Sequence, residues 1–307
     1  METQITQFFA YLVKEKSCTG NTIAAYRNDL GQFYGFLAGF SSPDLAAITE
    51  WSQVDESVLQ EYFFFLRERE YASSTVARKI AAVKSFIHFL VADGVISRDP
   101  STELDSPKVK KQLPRPIKPE EIERLLAAPV ATKSSKSARD KALMEVLYAT
   151  GMRVTELVSL NLQDVDVDQR MVICGAGSKR SREVPIYPAA GAALAYYLEH
   201  GRPKLINDEA DEALFLNHRG QRLTRQGLWL IIKRYVKQVD IKGVVTPHTL
   251  RHSFAAHMLN AGAGLREVQE RLGHANLSTT QVYRQVSGGV AAELTIDGQG
   301  TESKLRE

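Results

Sequence analysis

One stretch of this chain can belong to neither a helix nor a central strand, and it divides everything else. "DPSTELDSPKVKKQLPRPIKPEE", residues 99–121, holds five prolines: Pro100, Pro107, Pro114, Pro116 and Pro119. Proline removes a backbone donor and fixes φ, so regular hydrogen-bonded structure stops at such a segment. Lys108, Lys110, Lys111, Arg115 and Lys118 add five cations there, with no acid from Ser106 to Lys118. The segment reads as an extended basic linker over 108–118. A 307-residue chain cut at that point has length for two cores of ordinary size. The expected organisation is an N-terminal domain over 1–107, a second domain over 119–287 and a tail over 288–307.

The first domain reads as helical. Ile23, Tyr26, Leu30, Phe33 and Leu37 recur at helical spacing after Thr19-Gly20-Asn21, a candidate cap. "DESVLQEYFFFLRERE" gives a short amphipathic helix. A longer one follows, with Val76, Ile80, Val83, Ile87 and Leu90 as its apolar stripe, Ser74 or Thr75 as cap and Gly94 as stop. About four helices with short turns imply a bundle. The second domain begins at Pro119-Glu120-Glu121, a proline and acids where a helix dipole favours them. It alternates in type: helices end at Gly151 and restart at "RVTELVSL", and "MVICGAG" and "REVPIY" form a β-hairpin across "SKRS". Five more helical patterns follow before the tail, whose patterning is weak. The fold class is mainly α, with a small antiparallel sheet in the second domain.

Hydrophobic residues at 44% and charged residues at 24% suit a soluble globular protein. No apolar run approaches the length of about 20 residues that a membrane span needs, and the N-terminus is polar from residue 2. Cys18 and Cys174 lie far apart without metal-like spacing and suit a reducing compartment, so the cytoplasm is the expected location. A net charge of +3 permits a nucleic-acid partner without requiring one.

Several short motifs carry possible chemistry. "GAGSKRSREVP" sets glycines beside cations, yet it matches neither the spacing of a P-loop nor that of a dinucleotide-binding loop. A basic hairpin offering Lys179 and Arg180 to an external phosphate is what remains, against an ordinary exposed turn. In "TPHTLRHSFAAHML", His248 and His252 stand one helical turn apart, but the glutamate of a zinc helix is missing and no acidic ligand lies near. His248 and Arg251 share a face instead, pairing a group that titrates near neutrality with a permanent bidentate phosphate donor. Arg153, just past Gly151, sits at a helix start that favours an anion, with Glu156 placed to orient it. His274 follows Gly273, and Ser278 reads as the cap of a helix carrying Tyr283. A tyrosine with a pKa of about 10 becomes a nucleophile only with help from a base or from nearby cations.

In this order, "ATGMRVTEL", "HTLRHSFAAHML" and "LGHANLSTTQVY" resemble the tyrosine recombinase (phage integrase) family. The length and "STVARKIAAVKSFIHFL" with the following "DP", "PK" and "LP" resemble its Xer-type site-specific recombinases, over roughly residues 5–287. The resemblance implies a SAM-like core-binding domain, a catalytic domain and a reaction needing neither metal nor ATP. It implies that Tyr283 attacks a DNA phosphodiester to give a 3′-phosphotyrosine and a free 5′-hydroxyl. Arg153 and Arg251 would clamp the non-bridging oxygens, His274 would donate to the same group, and His248 would take and return the tyrosine proton. Its partner would be a double-stranded DNA site, its assembly a homotetramer or heterotetramer on synapsed DNA, with the linker cations along the phosphates and the tail docked on a neighbouring subunit. The role fits chromosome-dimer resolution and mobile-element integration equally. One position departs from the pattern. Xer-type recombinases read Gly-Lys-Gly at the hairpin, and that lysine protonates the leaving oxygen, whereas Ala176 occupies the place here. Lys179, three residues on, is the candidate replacement; the alternatives are water or His248 in that role, or a protein that binds DNA and cleaves it slowly.

Overall fold

A computed structural model describes residues 1–39, 48–102, 107, 115–129, 134–208 and 211–284. The chain divides into two compact units, Met1–Lys111 and Gln112–Glu307. In the first, α1 (Glu2–Lys14), α2 (Gly20–Ala38), α3 (Glu56–Glu68) and α4 (Ser73–Ala92) form a bundle. The Thr19 hydroxyl accepts from the Thr22 amide and starts α2, as the sequence predicts. The start of α4 differs from the expectation. It begins at Ser73 after Ala72, without a side-chain cap, so Ser74 and Thr75 lie inside its first turn. The chain enters from a left-handed turn at Glu70 (φ 52°) and reaches helical geometry ahead of both hydroxyls.

The predicted stripe Val76, Ile80, Val83, Ile87 and Leu90 is buried in full, against Phe8, Phe33, Trp51, Tyr62 and Phe86. Phe86 takes Phe8 and Trp51 edge-on at 5.3 and 4.8 Å between ring centroids. Each such aromatic side chain contributes on the order of 2 kcal/mol by leaving water.

The second unit is built around α6 (Ser135–Thr150), buried on nearly every face. A helix in that position has its polar groups paired or neutral. Asp140 accepts from Arg139 Nε at 2.9 Å, from the Tyr235 hydroxyl at 3.1 Å and from Arg234. Around α6 lie α5 (Pro119–Ala127), α7 (Val154–Ser159), α8 (Pro188–Tyr196), α9 (Arg225–Gln238), α10 (Pro247–Asn260), α11 (Leu265–Leu272) and a last helical stretch, 277–284. Ser278 falls within that last stretch instead of capping it, because the Thr279 amide already takes the Asn276 carbonyl at 3.2 Å.

The sheet is antiparallel in the order β1 (Val165–Asp166), β2 (Met171–Cys174), β3 (Arg182–Pro185). Val172 pairs with Val184 and both are buried, while Cys174 pairs with Arg182 at the mouth of the predicted hairpin. Among the described residues, no helix is long and apolar enough to cross a membrane. Lys108, Lys110, Lys111 and the tail 288–307 lie outside the described residues; Arg115 is exposed.

Candidate active site

Three helix ends meet in the second unit. Gly151 closes α6 in the left-handed conformation, Pro247 opens α10 behind a Thr246 cap, and Gly273 closes α11, again left-handed. The C-terminal carbonyls of α11 have no partners within their own helix, and the helix dipole makes that end negative. Three arginines from three other elements supply the donors. Arg182 Nε donates to the Arg271 carbonyl at 2.6 Å, Arg251 Nη2 to Leu272 at 2.6 Å and Arg153 Nη2 to Gly273 at 2.8 Å. Arg251 Nη1 also donates to the Gly151 carbonyl at 2.5 Å, tying the end of α6 to the end of α11. Like charges are thereby gathered in one place by fixed dipoles.

Glu156 joins the other two. It accepts from Arg153 Nη1 at 2.9 Å and from Arg182 Nη1 and Nη2 at 3.1 Å each, and its second oxygen also takes the Arg153 amide at 2.7 Å. Burial alone pushes this carboxyl up. Bonds from Arg182 and Arg153, together with both guanidinium charges, outweigh burial and hold it below its ordinary value. The anion expected at the start of α7 is therefore the chain's own Glu156. Arg251 is buried, and burial followed by repulsion from Arg153 lowers its pKa to about 10, still charged at neutrality. Two of the five N–H donors of Arg251 are spent on carbonyls, and a guanidinium has three more to offer an incoming oxyanion.

Two histidines and a tyrosine complete the cluster. His274 follows Gly273, and its Nδ1 stands 2.9 Å from the Thr280 hydroxyl. The Tyr283 ring lies parallel to that of His274 with centroids 6.3 Å apart. The Tyr283 hydroxyl lies 2.7 Å from Nδ1 of His252. His248, one turn earlier on α10, is exposed, its ring 6.5 Å from that of His252. The structure thus brings Arg153, Arg251, His274 and Tyr283 together, and the imidazole against the phenol is that of His252. Residues i and i+4 share a helix face, and the later of the two meets the stretch 277–284.

Burial raises the Tyr283 pKa, with the charge of Arg251 opposing it. Burial, then His248 and Arg251, lowers His252 to about 4; burial, then Arg251, Arg153 and Arg182, lowers His274 to about 4. Both imidazoles are neutral in the folded protein at pH 5 to 6. An unfolded chain takes up protons at both as pH falls through about 6.5. The unfolded state then binds more protons, so stability is full above about 6.5 and declines as pH falls towards 4. Thermal transitions measured across that range are expected to fall steadily. His274→Asn is expected to flatten the slope by up to one proton, and an unchanged slope would count against the shift.

The hairpin loop 175–181 folds on itself. Ser178 Oγ donates to the Gly175 carbonyl at 2.7 Å and accepts from the Arg180 amide at 3.2 Å, with Gly175 and Gly177 at φ of 70° and 73°. Ala176, Lys179 and Arg180 are exposed on it. Arg182, at its base, is held by Glu156 and α11, so the loop leaves the arginine cluster from a fixed root. Arg182 and His252 are the residues that sequence reasoning did not single out for the site. The place of Arg182 among the cations of the hairpin stretch and the four-residue step from His248 to His252 were the available signals. Among the described residues, no group of three or more His, Cys, Asp or Glu side chains is placed to hold a metal ion.

Residues 115–288 match the phage integrase family, and residues 5–94 match the phage integrase N-terminal SAM-like domain. The chain is 48% identical to tyrosine recombinase XerC of Herpetosiphon aurantiacus, over 95% of this chain and 94% of that one. It is 40% identical to tyrosine recombinase XerD of Listeria monocytogenes, over 94% and 95%. Among solved structures it is similar to XerH recombinase bound to a palindromic difH substrate, with a TM-score of 0.74 and 21% identity, covering 95% of this chain and 84% of that chain. A lambda integrase dimer bound to a COC′ core site matches with a TM-score of 0.71 at 13% identity, over 100% and 99%.

Proposed function

The chain belongs to the phage integrase family of tyrosine recombinases, and from that premise we propose that it cuts and rejoins duplex DNA at specific sites with Tyr283 as nucleophile. The observation that carries this reading is the gathering of Arg153, Arg251 and His274 around Tyr283. A phosphoryl transfer through a pentacoordinate phosphorus needs charge stabilised on its non-bridging oxygens. The two arginines supply bidentate donors already oriented by carbonyls and by Glu156, and His274 supplies a further donor. The Tyr283 oxygen, its proton passing to His248, attacks phosphorus as the bond to the 5′-oxygen breaks. The covalent 3′-phosphotyrosine keeps the bond energy, and a 5′-hydroxyl reverses the step when strands rejoin. His248, exposed on α10, is assigned to take the tyrosine proton and to return it when the strands rejoin.

The leaving 5′-oxygen needs a proton, and Lys179 is assigned to give it. Removal of a general acid costs about 10²–10⁴ in rate. Lys179→Ala is expected to lose activity on an ordinary substrate and to regain most of it when the bridging 5′-oxygen is sulfur, a leaving group that hardly needs protonation. Equal loss on both substrates would remove Lys179 from the role. Ala176 favours a second reading, a DNA-binding protein of impaired cleavage, in which neither substrate is cut at a useful rate. The partner is a double-stranded recombination site, gripped by the N-terminal domain and the catalytic domain, with two duplexes joined in a tetramer. The linker cations follow the phosphates and make affinity fall with salt.

A further inference from the structure

Tyr283 has a polar neighbour that these roles leave unused. Its hydroxyl is within 2.7 Å of Nδ1 of His252, with the two rings 5.4 Å apart and tilted by 48°. Tyr283 is only 4% exposed and packs with Phe254, Val268 and Leu272. A buried hydroxyl without a partner is costly, and among the described residues His252 is the one hydrogen-bond partner of this phenol. The groups facing His252 are His248 and Arg251 on its own helix and Tyr283 and His274 from the following segment. His248 and Arg251 both disfavour an imidazolium at this place.

We propose that His252 is a positioning residue for the nucleophile: its Nδ1 accepts the Tyr283 hydroxyl and holds the phenol oxygen beside His274 and Arg251 before DNA arrives. This rests on the reading of Tyr283 as the nucleophile. A phenol ring turns about two side-chain bonds, and an attacking oxygen must meet phosphorus in line and at close range. Fixing one rotamer in advance removes that search from the reaction. Burial keeps His252 neutral, with a pKa lowered to about 4, so its lone pair is available to the phenol throughout the neutral range. An arginine at the adjoining position supplies the field that favours a developing phenolate, and His252 supplies the direction in which its oxygen points. The assignment accounts for a second histidine one turn after His248, a spacing that in the sequence suggests only a metal pair.

The test uses the full chain and a nicked duplex that traps the covalent adduct, with single-turnover rates measured for His252→Leu and His252→Asn. Leucine keeps bulk and loses the acceptor; the asparagine Oδ1 stands close to where Nδ1 stood. The leucine variant is expected to form adduct about 10- to 100-fold more slowly at unchanged DNA affinity, a loss larger than the modest fall in its thermal transition explains. The asparagine variant is expected to recover most of that loss. A leucine variant as fast as the wild type or faster overturns the proposal, as does an asparagine variant as slow as leucine. A second measurement needs no change at residue 252. In ¹⁵N-histidine-labelled protein, Nδ1 of His252 is expected to appear as an unprotonated acceptor whose resonance moves in Tyr283→Phe; a protonated Nδ1 overturns the assignment. If the wild type itself forms no adduct, the nucleophile reading falls and takes this inference with it; an adduct in the wild type with no effect at His252 removes the inference alone.

Discussion

Arg251→Ala is expected to lower strand cleavage by about 10³-fold or more and to lower the thermal transition as well. The two effects have separate origins. In the reaction, the guanidinium stabilises charge that develops on phosphate oxygens, and loss of one preorganised donor in such a place costs about 10²–10³; a buried cation with several donors is worth at least that. In the fold, Arg251 bonds the last carbonyls of α6 and α11 from a buried position. Truncation leaves the Gly151 and Leu272 carbonyls without their partner, at about 1–3 kcal/mol each. Arg251→Lys separates the two. An ammonium keeps the charge but is a point donor on a flexible stem, unable to bond two carbonyls and a phosphate in one plane. We expect it to bind DNA normally and to cleave at least about 10²-fold more slowly. A lysine variant with wild-type cleavage would show that charge alone suffices and that the carbonyl bonds do not aim the group.

Gly151→Ala is the second large effect. Gly151 sits at φ 57°, and a Cβ there would lie 2.2 Å from Phe254 Cδ1 and 3.0 Å from Leu272. The left-handed conformation costs a side-chain-bearing residue about 1–2 kcal/mol, and the forced shift of a packed ring about 1–3 kcal/mol. A loss of about 2–5 kcal/mol is expected in denaturant unfolding of the catalytic domain. The displaced ring belongs to the small cluster that holds Tyr283, and the Gly151 carbonyl holds Arg251. Activity should therefore fall further than stability alone explains, even well below the unfolding midpoint. Gly177→Ala makes the contrast. It has φ 73°, and a Cβ there would meet nothing within 4 Å, so it should cost only the backbone conformation and leave the arginine cluster intact.

The elements that the sequence announced are those whose signals are local. Thr19 caps α2, Gly151 ends α6, Pro119 opens α5, and glycine-flanked cations separate β2 from β3, each through chemistry confined to a few neighbouring residues. The start of α4 is not legible in the same way, because Ser74 and Thr75 are equally good caps on paper and the turn at Glu70 decides where the helix begins. Strand β1 has two residues and no period to read. The site divides the same way. Arg153, Arg251, His274 and Tyr283 are legible from short motifs in order along the chain. The reason they converge is not, since α11 offers three successive carbonyls to arginines that stand 89, 21 and 120 residues away. Glu156 orients Arg153 as its spacing suggests, but its bond to Arg182 crosses from α7 to β3, and no spacing announces it. His252 escapes the sequence for a similar reason: its partner lies 31 residues on and is a tyrosine with its own motif.

Covalent trapping on a nicked duplex, with the full chain and a chelator present, tests the central claim most directly. The account predicts a protein–DNA adduct at the 3′-phosphate, mapped by mass spectrometry to Tyr283 and lost in Tyr283→Phe while DNA binding persists. An adduct that survives in Tyr283→Phe or maps to another residue would contradict it, and so would a wild type that binds its site and never becomes linked to it.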